Sequence, residues 1–180
     1  KVRDLFLIGC WTGLRYSDLS IMAPHNISDD QIRITTQKTN QKLVIPILPP
    51  AKRILDKYIV NGKQQLPRAV SDQKMNQYLK EIGKLLVDKI KEQASKHKKK
   101  DGFDISINTP KIDMITVHTA RRSFATNMYH TKDIKVPTIM AITGHKSELE
   151  FFKYIRITPD DHAKELQKKF DALILDSGDV

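Results

Sequence analysis

Residues 118–129 read His118-Thr119-Ala120-Arg121-Arg122-Ser123-Phe124-Ala125-Thr126-Asn127-Met128-Tyr129, a pattern with helical period. His118 and Arg121 stand three apart, so a helix carries both side chains on one face. A guanidinium fork beside an imidazole can hold phosphate oxygens and move a proton at once. By itself such a pair is most often a solvated face. Downstream, a short helix is expected over Pro137–Thr143, with proline at its first position and Gly144 just past its end. Ser147 with Glu150 forms a capping box, which predicts a short helix over 148–155 with Tyr154 in its last turn. Thr158-Pro159-Asp160-Asp161 opens a last helix with a narrow seam of Ala163, Leu166, Phe170, Leu173 and Ile174.

Upstream, residues 2–10 form a helix that stops at Thr12-Gly13, and Ser17 caps a short one running to Met22 before Pro24. Ile32 and Ile34 alternate with polar residues and Leu43-Val44-Ile45-Pro46-Ile47 follows a polar connection at 38–42, which predicts a β-hairpin. Pro50–Val60 reads as a helix with Ile54, Leu55, Tyr58 and Ile59 inward. Ser71 opens a longer one with Met75, Tyr78, Leu79, Ile82, Leu85, Leu86 and Ile90 on one stripe. Lys96–Gly102 reads as a solvated basic loop, and 103–116 as an irregular extended insertion. The expected fold is mainly α with a small antiparallel β-sheet, an α+β domain.

Lysine and arginine total 31 against 21 acidic residues, a net charge of +10 on 180 residues. That balance suits polyanions such as nucleic acid or an anionic membrane surface. Hydrophobic residues make up 39% of the chain and mean hydropathy is −0.44, too polar for an integral membrane protein. No apolar run approaches the roughly 18 residues of a spanning helix, and no signal-peptide pattern opens the chain. One cysteine, Cys10, excludes an internal disulfide and a cysteine-rich zinc site. A soluble intracellular domain is expected. The chain opens on Lys1, and Val2, Leu5, Phe6 and Ile8 already read as a helix under way, so a segment upstream is expected too.

Further candidates lie along the chain. Arg15 follows a glycine turn in Thr12-Gly13-Leu14-Arg15-Tyr16-Ser17-Asp18-Leu19, where a surface arginine is the ordinary outcome. Lys38 sits at the hairpin tip. Gly144-His145-Lys146-Ser147 puts a histidine at a helix–helix turn, and Tyr154 follows nine residues later. Each alone is modest. Two arginines, a lysine, two histidines and a tyrosine in this order, with the nine-residue step from His145 to Tyr154, together resemble the tyrosine recombinase (phage integrase) family. The matching segments span nearly the whole chain, from its first turn to Ile155.

The resemblance implies roles. Arg15 and Arg121 correspond to the pair that clamps the scissile phosphate, and Asp18 to the acidic residue that steadies the site. Lys38 corresponds to the general acid on the hairpin turn, with Lys42 as its rival. His118 and His145 match the phosphate-contacting positions, and Tyr154 matches the nucleophile. Ala120 and Arg122 depart from the usual leucine and frequent histidine, at positions that are not catalytic. Lys42, Arg122 and Lys146 are candidate DNA contacts. These roles agree with the chemistry. Phosphodiester cleavage builds charge on non-bridging oxygens, which bidentate arginines stabilise, while the departing 5′-oxygen needs a proton. No carboxylate cluster that would hold Mg²⁺ is visible, so neither a metal nor another cofactor is expected.

The family further implies a catalytic domain over 1–180, with an amino-terminal core-binding domain outside this stretch. Residues 158–176 would form a carboxy-terminal helix able to dock in trans. The expected partners are double-stranded DNA, a homotetramer on paired sites from a protein monomeric without DNA, and accessory DNA-bending proteins, with no membrane. The implied setting is the cytoplasm of a bacterium and the integration or excision of a mobile element through a covalent 3′-phosphotyrosine. A type IB topoisomerase has a similar arrangement of residues, and a DNA-binding module that has lost catalysis is the remaining alternative.

Overall fold

The computed structural model describes residues 1–86, 93–100, 103–131, 133–155 and 159–176. The chain begins with α1 (Val2–Thr12) and α2 (Tyr16–Ile21), then three strands, β1 (Ile27–Ser28), β2 (Gln31–Thr35) and β3 (Lys42–Pro46). After α3 (Pro49–Leu55) come the short strands β4 (Ile59–Val60) and β5 (Lys63–Gln64), then α4 (Asp72–Lys84). A ribbon of β6 (Gln93–Lys100) and β7 (Phe103–Pro110) leads to α5 (Val117–His130), α6 (Val136–Thr143), α7 (Glu148–Phe152) and α8 (Pro159–Asp176). The fold is mainly helical with small antiparallel sheets, as the sequence predicts. Among the described residues no helix is long and apolar enough to cross a membrane.

The main sheet runs β1-β2-β3, with Ile32 opposite Ile45 and Ile34 opposite Leu43. Because side chains alternate across a strand, this register buries all four on one face. They join Leu5 and Ile8 of α1, Leu19 of α2, Leu55 of α3, Met75 and Leu79 of α4 and Val117 of α5 in the principal core. Gly9 lets α1 approach α5 closely, since a Cβ there would lie 3.2 Å from that of Ala120. A second cluster of Phe124, Ala125, Ile139 and Phe151 joins α5, α6 and α7.

Both glycine turns seen in the sequence are real helix ends. Gly13 (φ 68°) and Gly144 (φ 69°) adopt the left-handed conformation and donate their N–H groups to Gly9 O and Met140 O. At Gly13 no side chain fits, because a Cβ would come within 2.5 Å of the Phe124 ring.

Several expectations need correction. Residues 93–100 and 103–110 form an antiparallel ribbon, with Lys96 opposite Ile107, Lys98 opposite Ile105 and Lys100 opposite Phe103. The period-two spacing of Phe103, Ile105 and Ile107 is a strand signal that the neighbouring lysine run obscures. The helix after Pro49 stops at Leu55, and Ile59 is exposed in a tiny hairpin turned by Asn61 (φ 50°) and Gly62 (φ 71°). Asn-Gly is the dipeptide that such a two-residue turn favours. On α4 the buried stripe is narrower than predicted. Met75 and Leu79 are buried, whereas Tyr78, Leu85 and Leu86 are exposed and the helix ends at Lys84. Ile90 lies outside the described residues. Ser71 and Ser147 do cap α4 and α7, accepting from the N–H groups of Lys74 and Glu150. Ser17 does not cap α2, because the helix already starts at Tyr16 with Arg15 extended ahead of it. Finally, α7 ends at Phe152. Tyr154 and Ile155 donate to Phe151 O and Phe152 O in tighter three-residue steps, so Tyr154 sits in a turn.

Candidate active site

Arg121 lies one turn beyond His118 on α5 and is only 1% exposed. A buried guanidinium needs acceptors for its fork of N–H groups. Nη1 donates to Gly13 O at 2.8 Å, and Nη2 stands 3.1 Å from His145 Nε2. Arg15 reaches across to the other helix end, where its Nη2 donates to Gly144 O at 3.4 Å. The two left-handed glycine turns thus each offer a backbone carbonyl to one arginine. Thr143, the last residue of α6, places its Oγ1 2.7 Å from His145 Nδ1.

Tyr154 closes the cluster. Its ring lies 4.8 Å from the imidazole of His145, centroid to centroid, and the guanidinium carbon of Arg121 stands 5.5 Å from its centre. Arg122 is exposed on α5, with its guanidinium carbon 6.0 Å from the same ring. Such distances are within the range where a cation is attracted to an aromatic face. Phe151, fully buried, packs edge-on against His145 at 5.5 Å and anchors the turn that carries Tyr154.

Two cations in one buried pocket depress each other's basicity. Burial first, and then the charge of Arg15, pull Arg121 down to about 10, against the opposing pull of Tyr154 and Asp18. Burial, followed by the charges of Arg121 and Arg15, pushes His145 down to about 4. At neutral pH the imidazole is therefore uncharged between two guanidiniums. Among the described residues, Arg15 Nη1 and Arg121 Nε are buried donors without an acceptor. Buried donors are nearly always matched, so this pair could receive an oxyanion.

The β2–β3 turn is tied to the same place. Gln37 N–H donates to Asp18 Oδ1 at 2.8 Å, and Gln41 N–H donates to Thr36 Oγ1 at 2.9 Å. Asp18 is completely buried, so its carboxylate serves as a fixed anchor for the turn. Lys38 is exposed at the tip, one residue beyond that anchor.

Of the residues expected from the sequence, the structure brings Arg15, Arg121, His145 and Tyr154 together and sets Asp18 beside them. His118 and Lys38 are exposed, and among the described residues neither joins the hydrogen-bonded cluster. Lys42 and Lys146 are exposed, Lys42 beside a shallow groove lined by Arg33, Thr35 and Val44. Sequence reasoning did not find the carbonyls of Gly13 and Gly144 or the hydroxyl of Thr143. Backbone carbonyls carry no residue signature, and a threonine at the end of an apolar helix reads as packing.

A mainly helical domain that sets a buried and a half-buried arginine in one cluster with a tyrosine could receive an anionic oxygen there. The chain matches the phage integrase family over residues 2–160 and belongs to that family. Its fold is similar to that of the Tn1549 transposon integrase (aa 82–397) solved with a circular intermediate DNA. The two share 17% identity with a TM-score of 0.63, covering 92% of this chain and 57% of that one. Similarity to XerA recombinase has a TM-score of 0.64 at 12% identity, over 93% and 62% of the two chains. A lambda integrase (75–356) dimer bound to a COC′ core site gives 0.58 at 21%, over 86% and 52%. The chain thus spans between half and two-thirds of the length of these structures. No curated protein sequence matches it.

Proposed function

We propose that this domain cuts and rejoins DNA strands as a site-specific recombinase, through a 3′-phosphotyrosine formed on Tyr154. The observation that carries the reading is the pair of unmatched buried donors on Arg15 and Arg121, with the Arg121 guanidinium carbon 5.5 Å from the centre of the Tyr154 ring. A scissile phosphate seated there would meet both guanidiniums. Tyr154 gives its phenol proton to a base, a role proposed for His118, as its oxygen attacks phosphorus. The attack forms the tyrosyl ester and breaks the bond to the 5′-oxygen, which leaves with a proton from a separate acid. The reverse attack by a 5′-hydroxyl restores DNA without net loss of a phosphodiester bond. Negative charge that develops on the non-bridging oxygens is stabilised by donors already in place. The net charge of +10 supplies backbone affinity that should weaken steeply with salt. An SDS-resistant complex of the protein with nicked duplex DNA tests the reading, and its absence across a randomised pool of duplexes would contradict it.

The proton for the 5′-oxygen is assigned to Lys38. Its turn is held at the base by Asp18 while the side chain remains exposed and able to reach. Lys38→Ala should then cleave an ordinary substrate slowly but a 5′-bridging phosphorothiolate nearly normally, because a thiolate leaves without a proton. Rescue of Lys42→Ala instead, in the same single-turnover assay, would move the role to Lys42.

Assembly is the coarser part of the reading. A lambda integrase tetramer bound to a Holliday junction has the same fold, with a TM-score of 0.59 at 21% identity, and a tetramer on paired sites is proposed here. The proposed setting is the integration or excision of a mobile element in a bacterial cytoplasm, aided by DNA-bending proteins. Leu166 and Phe170 of α8 are both more than half exposed, and a neighbouring protomer is proposed to cover them. Leu166→Asp with Phe170→Asp should leave the melting temperature and single-site DNA binding intact while abolishing assembly on paired sites. A collapsed melting temperature would place α8 in its own domain's core.

A further inference from the structure

The hydroxyl of Thr143 has one proton, and the geometry commits it. Oγ1 lies 2.7 Å from Ile139 O, which can only accept, so the hydroxyl donates there. His145 Nδ1 stands 2.7 Å from the same oxygen and must therefore be the donor in that contact. A neutral imidazole has a single N–H, which leaves Nε2 with a lone pair. That lone pair faces Arg121 Nη2 at 3.1 Å, and a guanidinium can only donate. The bonds thus run in one direction, from Arg121 through His145 and Thr143 to the carbonyl of Ile139, and every member is buried.

We propose that Thr143 is a positioning residue which selects the Nδ1–H tautomer of His145 and, through it, fixes the guanidinium of Arg121 for phosphate. The opposite tautomer would set an N–H of His145 against an N–H of Arg121. It would also leave the Nδ1 lone pair facing a hydroxyl whose proton is already donated. The neutral ring that this scheme needs is the form favoured by burial and by the two arginine charges. The fork of Arg121 is then held between Nε2 and Gly13 O, with Nε left for the incoming oxyanion. Thr143 is fully buried, and its methyl group packs towards Gly13, so the side chain also has a packing role apart from the hydroxyl. The role as stated rests on the recombinase reading, but the tautomer itself does not.

Two substitutions separate shape from hydrogen bonding. Thr143→Val keeps the branch and removes the hydroxyl, whereas Thr143→Ser keeps the hydroxyl. Long-range ¹H–¹⁵N correlation spectra of the neutral protein should show His145 as the Nδ1–H tautomer in the wild type and in the serine variant. In the valine variant the ring should become a mixture of tautomers or change to Nε2–H. Tyr154–DNA adduct formation should slow by roughly ten- to a hundredfold in the valine variant, the scale for a lost orienting partner, and recover with serine. A wild-type ring that is charged or Nε2–H at neutral pH would overturn the assignment, even if the valine variant failed to fold. So would an unchanged tautomer in a folded valine variant, or a serine variant as slow as valine. The predicted tautomers without any adduct in the wild type would instead refute the recombinase reading and leave the orienting role of Thr143 on His145 standing.

Discussion

Tyr154→Phe should eliminate covalent attachment to DNA altogether while changing DNA affinity by no more than a few-fold. The substitution removes one oxygen atom. That atom is the proposed nucleophile. The ring remains, and with it the contact to His145 at 4.8 Å and the approach of Arg121, so the pocket should keep its shape. The arginines proposed to meet the phosphate are untouched. A denaturing gel that resolves protein–DNA adducts, paired with a binding titration at fixed salt, checks both halves. An adduct formed by the variant through Tyr16 or Tyr129 would remove Tyr154 from its role.

Arg121→Ala should lower the rate of cleavage at saturating DNA by about 10² or more, the scale for removing one preorganised contact to a developing oxyanion. Binding should fall by less, because the contact strengthens as charge accumulates in the transition state. A second effect follows from burial. Arg121 is the donor for both Gly13 O and His145 Nε2, so its removal leaves two buried acceptors unpaired and should cost about 1–3 kcal/mol for each group not reached by water. Arg15→Ala should show the catalytic loss with less destabilisation, since Arg15 is half-buried and has one long bond to Gly144 O. Single-turnover kinetics and thermal melts on the two variants separate these contributions. Equal losses in binding and in rate would mean that the arginines only hold DNA.

Much of the scaffold was legible because its signals are local. The alternation of Ile32 and Ile34 with Leu43 and Ile45 forms the sheet expected, and Ser71, Ser147, Pro137 and Gly144 mark helix ends that the structure contains. What escaped was of two kinds. The strand pattern of Phe103, Ile105 and Ile107 and the Asn61-Gly62 turn were present but outweighed by neighbouring lysines and by an apparent helical run. The end of α7 at Phe152 depends on how Phe151 packs beneath it, which no local pattern states. Of the site, the side chains that assemble around Arg121 could be picked out by their order along the chain. Their geometry could not. The pairing of Arg121 with Gly13 O and with His145 joins residues whose proximity exists only after α1, α5 and α6 have packed.

The most direct test of the account is to identify the bond between protein and DNA. The protein would be incubated with a pool of nicked duplexes of randomised sequence, so that the severed strand diffuses away and the ester accumulates. The trapped complex would then be digested and the DNA-bearing peptide sequenced by mass spectrometry. The account predicts one modified residue, Tyr154, joined to a 3′-phosphate, with a free 5′-hydroxyl on the released fragment. Attachment through another residue, a 5′-phosphate linkage, or cleavage without any attached protein would contradict it.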